Sequence, residues 1–163
     1  MNPMPISFTP IGTVRTPATE AEIRAEKTDV AGELEILPEF APALEGIDGY
    51  SHIFLIYHFH QLRPAQIGPL QVKPRRLTRR GYSLEDLPLL GVFALDSPTR
   101  PNPIGLTLLR VLSREGNRLM VTGLDCFDGT PILDIKAYQQ DYRPPDSSVP
   151  DWYKQLMSES GHI

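Results

Sequence analysis

Cysteine is almost absent from this chain: Cys126 is the only one in 163 residues. One thiol cannot close an internal disulfide, so the fold has no covalent staple and a reducing compartment, the cytoplasm, is the expected home. No apolar run reaches the roughly 20 residues of a membrane span. Nor does a basic segment followed by an apolar one open the chain, so neither anchor nor leader is expected. Positive charge is also in short supply. Lys and Arg number 16 against 20 Asp and Glu, a net charge of −4 with a pI near 5.5, so the molecule as a whole lacks an electrostatic footprint for nucleic acid. There is no Gly-x-Gly-x-x-Gly fingerprint and no alternation of strands with helices around the glycines, which excludes a Rossmann-type nucleotide site.

Proline, by contrast, is plentiful, with 17 in the chain. Three of them stand within Asp96-Ser97-Pro98-Thr99-Arg100-Pro101-Asn102-Pro103-Ile104-Gly105. They fix φ and remove backbone donors, so the segment is neither helix nor central strand. It lies between two apolar runs expected as strands, Val92 to Leu95 and Ile104 to Leu112. A plain chain reversal needs one Pro or one Gly. A stiff loop that also carries a guanidinium and a carboxamide is better suited to holding Arg100 and Asn102 in fixed positions.

The length fits one domain, and 40% hydrophobic with 22% charged residues is ordinary for a globular protein. Strands are expected over Ile6 to Arg15, with an irregularity at Pro10-Ile11-Gly12, and over Gly32 to Leu37, where Leu34 and Ile36 alternate with Glu33 and Glu35. Between them Thr16 to Val30 reads as a loop with one helical turn near Ala21 to Ala25. Pro38 to Leu44 has the marks of a short helix, Pro in its first turn and Gly46 past its end. Tyr50 to His60 reads as a strand buried on both faces. His52, Phe54, Ile56, His58 and His60 share one of those faces; Ile53, Leu55, Tyr57 and Phe59 share the other. A short strand at Leu70 to Val72 and a helical turn within Leu84 to Leu90 come next. Ile104 to Arg114 and Asn117 to Thr122 flank a Gly116-Asn117 hairpin, and Ile132 to Ala137 is the last strand. After Tyr138, three prolines lead to a short helix over Asp151 to Ser158. Strand following strand through short connections predicts an all-β barrel, residues 1–140, with a tail over 141–163.

Two clusters invite function. His58-x-His60, with His52 in phase, could share a metal on one strand face, but no carboxylate at clear spacing completes the set. Lys73-Pro74-Arg75-Arg76-Leu77-Thr78-Arg79-Arg80 concentrates five positive charges on an acidic chain, either a solvated loop or a surface for an anionic partner. Cys126 has no basic neighbour in sequence to activate it and reads as a small buried residue. Asp134 and Lys136 read as a salt-bridged pair on the barrel rim.

Val92-Phe93-Ala94, Ser97-Pro98 and Arg100-Pro101-Asn102-Pro103-Ile104-Gly105-Leu106 together resemble the signature of the TsaA-like (TrmO) family. So do Gly123-Leu124-Asp125, Asp128-Gly129-Thr130-Pro131 and Leu133-Asp134-Ile135-Lys136. Upstream, Ile11 to Pro17, Gly32-Glu33-Leu34, Tyr50-Ser51-His52-Ile53 and Phe59-His60 fit in the same order. The resemblance implies a compact single-sheet β-barrel and S-adenosylmethionine-dependent methyl transfer, best known on N6 of threonylcarbamoyladenosine beside the tRNA anticodon. It implies donor contacts from Arg24, Phe59, His60, Asp96, Gly105, Leu106, Asp125, Cys126, Phe127 and Asp128, and a homodimer.

Methyl transfer from a sulfonium rests largely on positioning. In that chemistry Asp125 and Asp128 suit the donor's ammonium and ribose hydroxyls, and Arg100 suits its carboxylate or an acidic group on the acceptor. Asn102, by analogy with amino-methyltransferases that use an Asn or Asp beside proline, is the residue that orients the acceptor nitrogen. The chain departs from the family at Asp96, where the tRNA-modifying members carry arginine, and at Thr99, where they carry an aromatic. It is also short, without the additional C-terminal domain of the bacterial enzymes. The acceptor is therefore either tRNA, held by Lys73, Arg75, Arg76, Arg79 and Arg80, or a small molecule. A metal-binding barrel using His58 and His60, or a non-catalytic module, are the competing readings.

Overall fold

Eight β-strands appear in the computed structural model, which describes residues 4–25 and 29–159. They are β1 (Gly12–Arg15), β2 (Ala31–Ile36), β3 (His52–His58), β4 (Gln71–Val72), β5 (Leu90–Gly91), β6 (Ile104–Glu115), β7 (Arg118–Thr122) and β8 (Pro131–Ala137). Six of them close into a barrel in the order β1-β2-β7-β6-β3-β8, every neighbouring pair antiparallel. This is the expected all-β barrel. It occupies the described residues within 1–70 and 98–138, one of two compact units; the other holds those within 71–97 and 139–163.

Alternation along each strand decides which side chains fill the barrel. Ile53, Leu55 and Tyr57 of β3 are buried, together with Val14, Leu34, Ile36, Leu109, Leu119, Val121 and Ile132 from the other five strands. His52, Phe54, Ile56 and His58, one step out of phase, are only half-buried on the outer side, so β3 is buried on one face and not on both as its apolar run suggested. The outer face of β1, β2 and β7 is charged: Arg15 pairs with Glu35 at 3.0 Å, and Arg118 reaches Glu33 at 3.3 Å and Glu35 at 3.4 Å. Asp134 and Lys136 form the expected pair at 3.0 Å.

Several elements differ from the sequence expectation. β1 begins only at Gly12, and Ile6 and Phe8 upstream are 81% and 62% exposed. Pro10 has no N–H to give a neighbour, so pairing resumes at Ile11, whose N–H donates to the Ile132 carbonyl (2.8 Å). β3 stops at His58, so Phe59 and His60 leave the strand. Val92–Ala94 is a single 3-10 turn and not a strand; Val92 alone is buried while Phe93 is 86% exposed. Leu84 to Leu90 holds one reverse turn, Asp86 N–H to the Ser83 carbonyl (3.2 Å), and Pro88 prevents a helix there. The short helix at Pro38–Leu44 is present in 3-10 form, and the β6–β7 hairpin turns at Gly116 with φ +61°.

In the second unit β4 pairs with β5, Arg75–Arg80 forms a 3-10 helix, and α2 covers Asp151–Glu159. The 3-10 helix buries Leu77 and exposes Arg75, Arg76 and Arg79. Lys73 is committed locally, donating from Nζ to the Leu84 and Glu85 carbonyls at 2.9 and 3.0 Å.

Candidate functional site

Antiparallel closure sends the end of β1, β3 and β7 and the start of β2, β6 and β8 to one rim of the barrel. The connections leaving that rim carry most of the residues singled out in the sequence. Between β1 and β2 lies α1 (Glu20–Arg24), started by a Thr19–Glu22 capping box. Arg24 in its last turn pairs with Glu20 at 2.9 Å and stands 4.8 Å over the Phe127 ring. Phe127 belongs to the connection from β7 to β8, so this stacking joins two of the three rim segments.

The acidic turn is tied down at both carboxylates. Asp128 Oδ1 accepts from the Thr16 N–H at 3.0 Å, and Gly129 N–H donates to the Val14 carbonyl at 2.9 Å. Asp125 Oδ1 accepts from the Tyr57 hydroxyl at 3.2 Å and also from the Thr107 hydroxyl. Cys126 between them points inward, 4% exposed, and its thiol is pushed up to about 12 by burial and by the neighbouring Asp125 charge. It is therefore a core residue, as its sequence context indicated, and no nucleophile.

His60 sits against the same turn. Thr130 Oγ1 gives its one proton to the Phe127 carbonyl (2.7 Å), so it meets His60 Nδ1 (3.4 Å) as an acceptor. That places the ring proton on Nδ1 and leaves the Nε2 lone pair available. Partial burial and the neighbouring His58 hold the imidazole below its ordinary value, against an opposing pull from Asp128 and Glu20. The ring is neutral near pH 7.

The proline loop reaches this rim through its backbone. Phe59 N–H donates to the Pro103 carbonyl (2.9 Å), Gly68 N–H to the Arg100 carbonyl (3.3 Å), and Ile104 N–H turns back to the Asn102 carbonyl (2.7 Å). Arg100 is half-buried and Asn102 exposed. A cleft of roughly 290 Å³ beside Asp128 is lined by Arg15, Thr16, Pro17, Gly32, Glu33 and Met120.

The rim thus gathers Arg24, Phe59, His60, Asp125, Phe127, Asp128 and the Arg100–Asn102 loop. Four other residues of the sequence reading are placed differently. Cys126, expected among the donor contacts, faces the core at 4% exposure. Leu106 points out of the barrel, 63% exposed. Gly105 lies beneath the Tyr57 ring, where a Cβ would stand 2.2 Å from the ring carbon Cζ. Asp96 is an exposed residue of the second unit. Sequence reasoning missed Tyr57, Thr107, Thr130 and Thr16. Tyr57 reads as core because it is in phase with Ile53 and Leu55. Thr107 did carry a signal, a polar residue on the inward phase of β6 between Gly105 and Leu109. Among the described residues no three His, Cys, Asp or Glu side chains converge to hold a metal, so His58 and His60 lack a third ligand.

The family model for the tRNA-methyltransferase O N-terminal domain matches residues 15–143. The chain belongs to the TrmO family. A probable S-adenosyl-L-methionine-binding protein of Pyrococcus abyssi is 40% identical over 144 residues, covering 86% of this chain and 72% of that protein. The mouse tRNA (adenine(37)-N6)-methyltransferase is 34% identical over 151 residues, covering 92% of this chain and 32% of its own length. Among solved structures, the TrmO crystal structure from Pseudomonas aeruginosa has a TM-score of 0.64 at 32% identity, covering 91% of this chain and 62% of that one. This TrmO-family chain therefore spans under two thirds of the mouse and Pseudomonas relatives it matches.

Proposed function

We propose that this chain is an S-adenosylmethionine-dependent methyltransferase whose acceptor is N6 of a tRNA adenosine, in the form of threonylcarbamoyladenosine beside the anticodon. The observation that carries the reading is the rim itself. Two anchored carboxylates, a guanidinium stacked on an aromatic ring and a backbone-tied Arg-Pro-Asn-Pro loop meet there. This donor set fits the group it would hold: carboxylates for an ammonium and ribose hydroxyls, cations for a carboxylate, and an aromatic face for a base. S-adenosylmethionine, when bound, supplies an electrophilic methyl on sulfur. The chain's residues do the rest by orientation. Asp125 and Asp128 accept hydrogen bonds from the donor's polar ends, and Arg100 pairs with a carboxylate. Asn102 accepts from the proton-bearing nitrogen and turns its lone pair toward the methyl. His60 Nε2, neutral at pH 7, is the rim's acceptor for the proton that nitrogen releases.

A homodimer belongs to the same reading. Leu106, Leu108 and Leu112 on the outer side of β6 are 63%, 45% and 57% exposed, and across the sheet Leu106 pairs with Ile56 and Leu108 with Phe54 of β3. Light scattering on the purified protein tests it. No helix among the described residues is long and apolar enough to cross a membrane.

The deciding experiment pairs calorimetry with labelled-methyl transfer, both in the presence of chelator. Binding of S-adenosylmethionine and label incorporation into threonylcarbamoylated tRNA, but not into unmodified transcript, is expected. Failure to bind the donor together with stoichiometric metal in the purified protein overturns the reading. The second reading, a small-molecule acceptor, is favoured by Asp96, an acid where tRNA-modifying members carry arginine. Donor binding without any tRNA labelling would establish it.

A further inference from the structure

Asp125 is exposed, yet one of its oxygens accepts two hydroxyl hydrogen bonds from residues of the barrel wall, Tyr57 at 2% exposure and Thr107 at 9%. A hydroxyl facing the interior of a β-barrel is costly unless it has a partner. Two of them aimed at the same carboxylate oxygen make a built arrangement. The strand register explains how it forms. Tyr57 pairs with Gly105 and Leu55 with Thr107, so β6 offers first a missing side chain and then a hydroxyl along the same inward face. Without a Cβ at Gly105 the Tyr57 ring lies over the strand; a Cβ there would stand 2.2, 2.4 and 2.7 Å from Cζ, Cε2 and Cε1. Those are the ring atoms nearest the hydroxyl, so Gly105 directly permits the position from which Tyr57 reaches Asp125. Phe59 packs edge-on against the same ring, centroids 5.1 Å apart.

We infer that Thr107 and Tyr57 are positioning residues that hold the Asp125 carboxylate in one orientation for the methyl donor, with Gly105 as the space that allows it. This deepens the donor-binding reading above and rests on it. Anchoring an exposed carboxylate before the ligand arrives removes the entropy of ordering it on binding. Tyr57 remains a donor at any physiological pH, because burial and the Asp125 charge beside it push its ionisation up, followed by the neighbouring Cys126. Cys126, also beside Asp125, is held neutral in the same way. Tyr57 and Thr107 thus work through Asp125 and do not touch the reacting atoms.

The test uses Thr107→Val, Thr107→Ser and Tyr57→Phe in the full chain. Thr107→Val keeps the shape and removes the proton; it should weaken S-adenosylmethionine binding about tenfold by calorimetry. Turnover at limiting donor should fall by a similar factor. Thr107→Ser restores the hydroxyl and should restore the affinity. Tyr57→Phe keeps the ring and should show a smaller loss in the same direction, which carries the test if the valine variant does not fold. In ligand-free protein, carboxyl carbon NMR should show the Asp125 titration midpoint moving up in the Thr107→Val, Tyr57→Phe double variant. An unchanged midpoint, unchanged affinity in Thr107→Val, or no recovery in Thr107→Ser overturns the inference. A moved midpoint in a protein that binds no donor at all upholds the clamp and overturns the donor reading instead.

Discussion

At the scale of single residues, packing and protonation make two predictions. Gly105→Ala forces a methyl into the Tyr57 ring, 2.2 Å from Cζ, and overpacking of this kind costs about 1–3 kcal/mol. Urea unfolding should show that loss, and adding Tyr57→Leu should recover most of it. A Gly105→Ala protein with wild-type stability would mean that the ring can move aside. Cys126 gives the second. Its thiol is raised from 9.0 to about 12 in the folded protein, so above pH 9 the unfolded chain loses a proton that the folded one keeps. Stability should be intact below pH 9 and fall progressively between 9 and 12, less steeply in Cys126→Ala. Chemical unfolding across that range measures it, and a thiol that reacts with Ellman's reagent in native protein at pH 8 would contradict it. The site was partly legible at this scale. Carboxylates, Arg100 and Asn102 announce themselves because such groups in a stiff turn have few structural uses. Tyr57 could not, since its hydroxyl is invisible to a periodicity that counts it as apolar.

At the scale of elements, alternation marked β2, and apolar runs and turn signals marked β3, β6, β7 and β8, each to within a few residues; β3, expected to be buried on both faces, commits only its Ile53, Leu55 and Tyr57 face to the barrel interior. β1 and the segment before the proline loop were misread. An apolar run reports burial only where successive residues share a partner strand, and neither Ile6–Phe8 nor Val92–Ala94 has one. The proline loop itself behaves as read: a rigid connection without regular structure, fastened by backbone bonds at Phe59 and Gly68. Its side chains are then separable from its conformation. Asn102 is exposed, so Asn102→Ala should change stability by less than about 0.5 kcal/mol and leave donor affinity unchanged while abolishing methyl transfer. Asp128→Ala should do the reverse, weakening donor binding roughly tenfold or more as a charged hydrogen bond is lost. Calorimetry, thermal melting and label transfer on the two variants decide between these outcomes. Unfolding of Asn102→Ala would make the loop structural.

For the molecule as a whole, sequence indicated a barrel but not its strand order, because β3 lies between β6 and β8, partners about 50 and 80 residues away, and local pattern carries no record of such pairings. The charge distribution, which is legible, bears on the acceptor. A net charge of −4 repels tRNA at long range, so binding must come from a local concentration of cations. The described side chains offer one in the second unit, where the 3-10 helix turns Arg75, Arg76 and Arg79 outward over buried Leu77. Lys73, counted with them in the sequence, is occupied with the Leu84 and Glu85 carbonyls and holds the segment in place. Two kinds of variant therefore separate. Changing Arg75, Arg76, Arg79 and Arg80 together to Gln should flatten the salt dependence of tRNA binding, by about 0.7–0.9 in the logarithmic slope for each phosphate contact removed. Donor affinity should be untouched, since those residues lie outside the barrel unit. Lys73→Gln should instead lower stability with little change of slope. Filter binding across a salt series, read beside donor calorimetry, gives both quantities. A slope that the four substitutions leave unchanged would remove this helix from the tRNA path, and with no measurable tRNA binding at low salt the acceptor would be a small molecule.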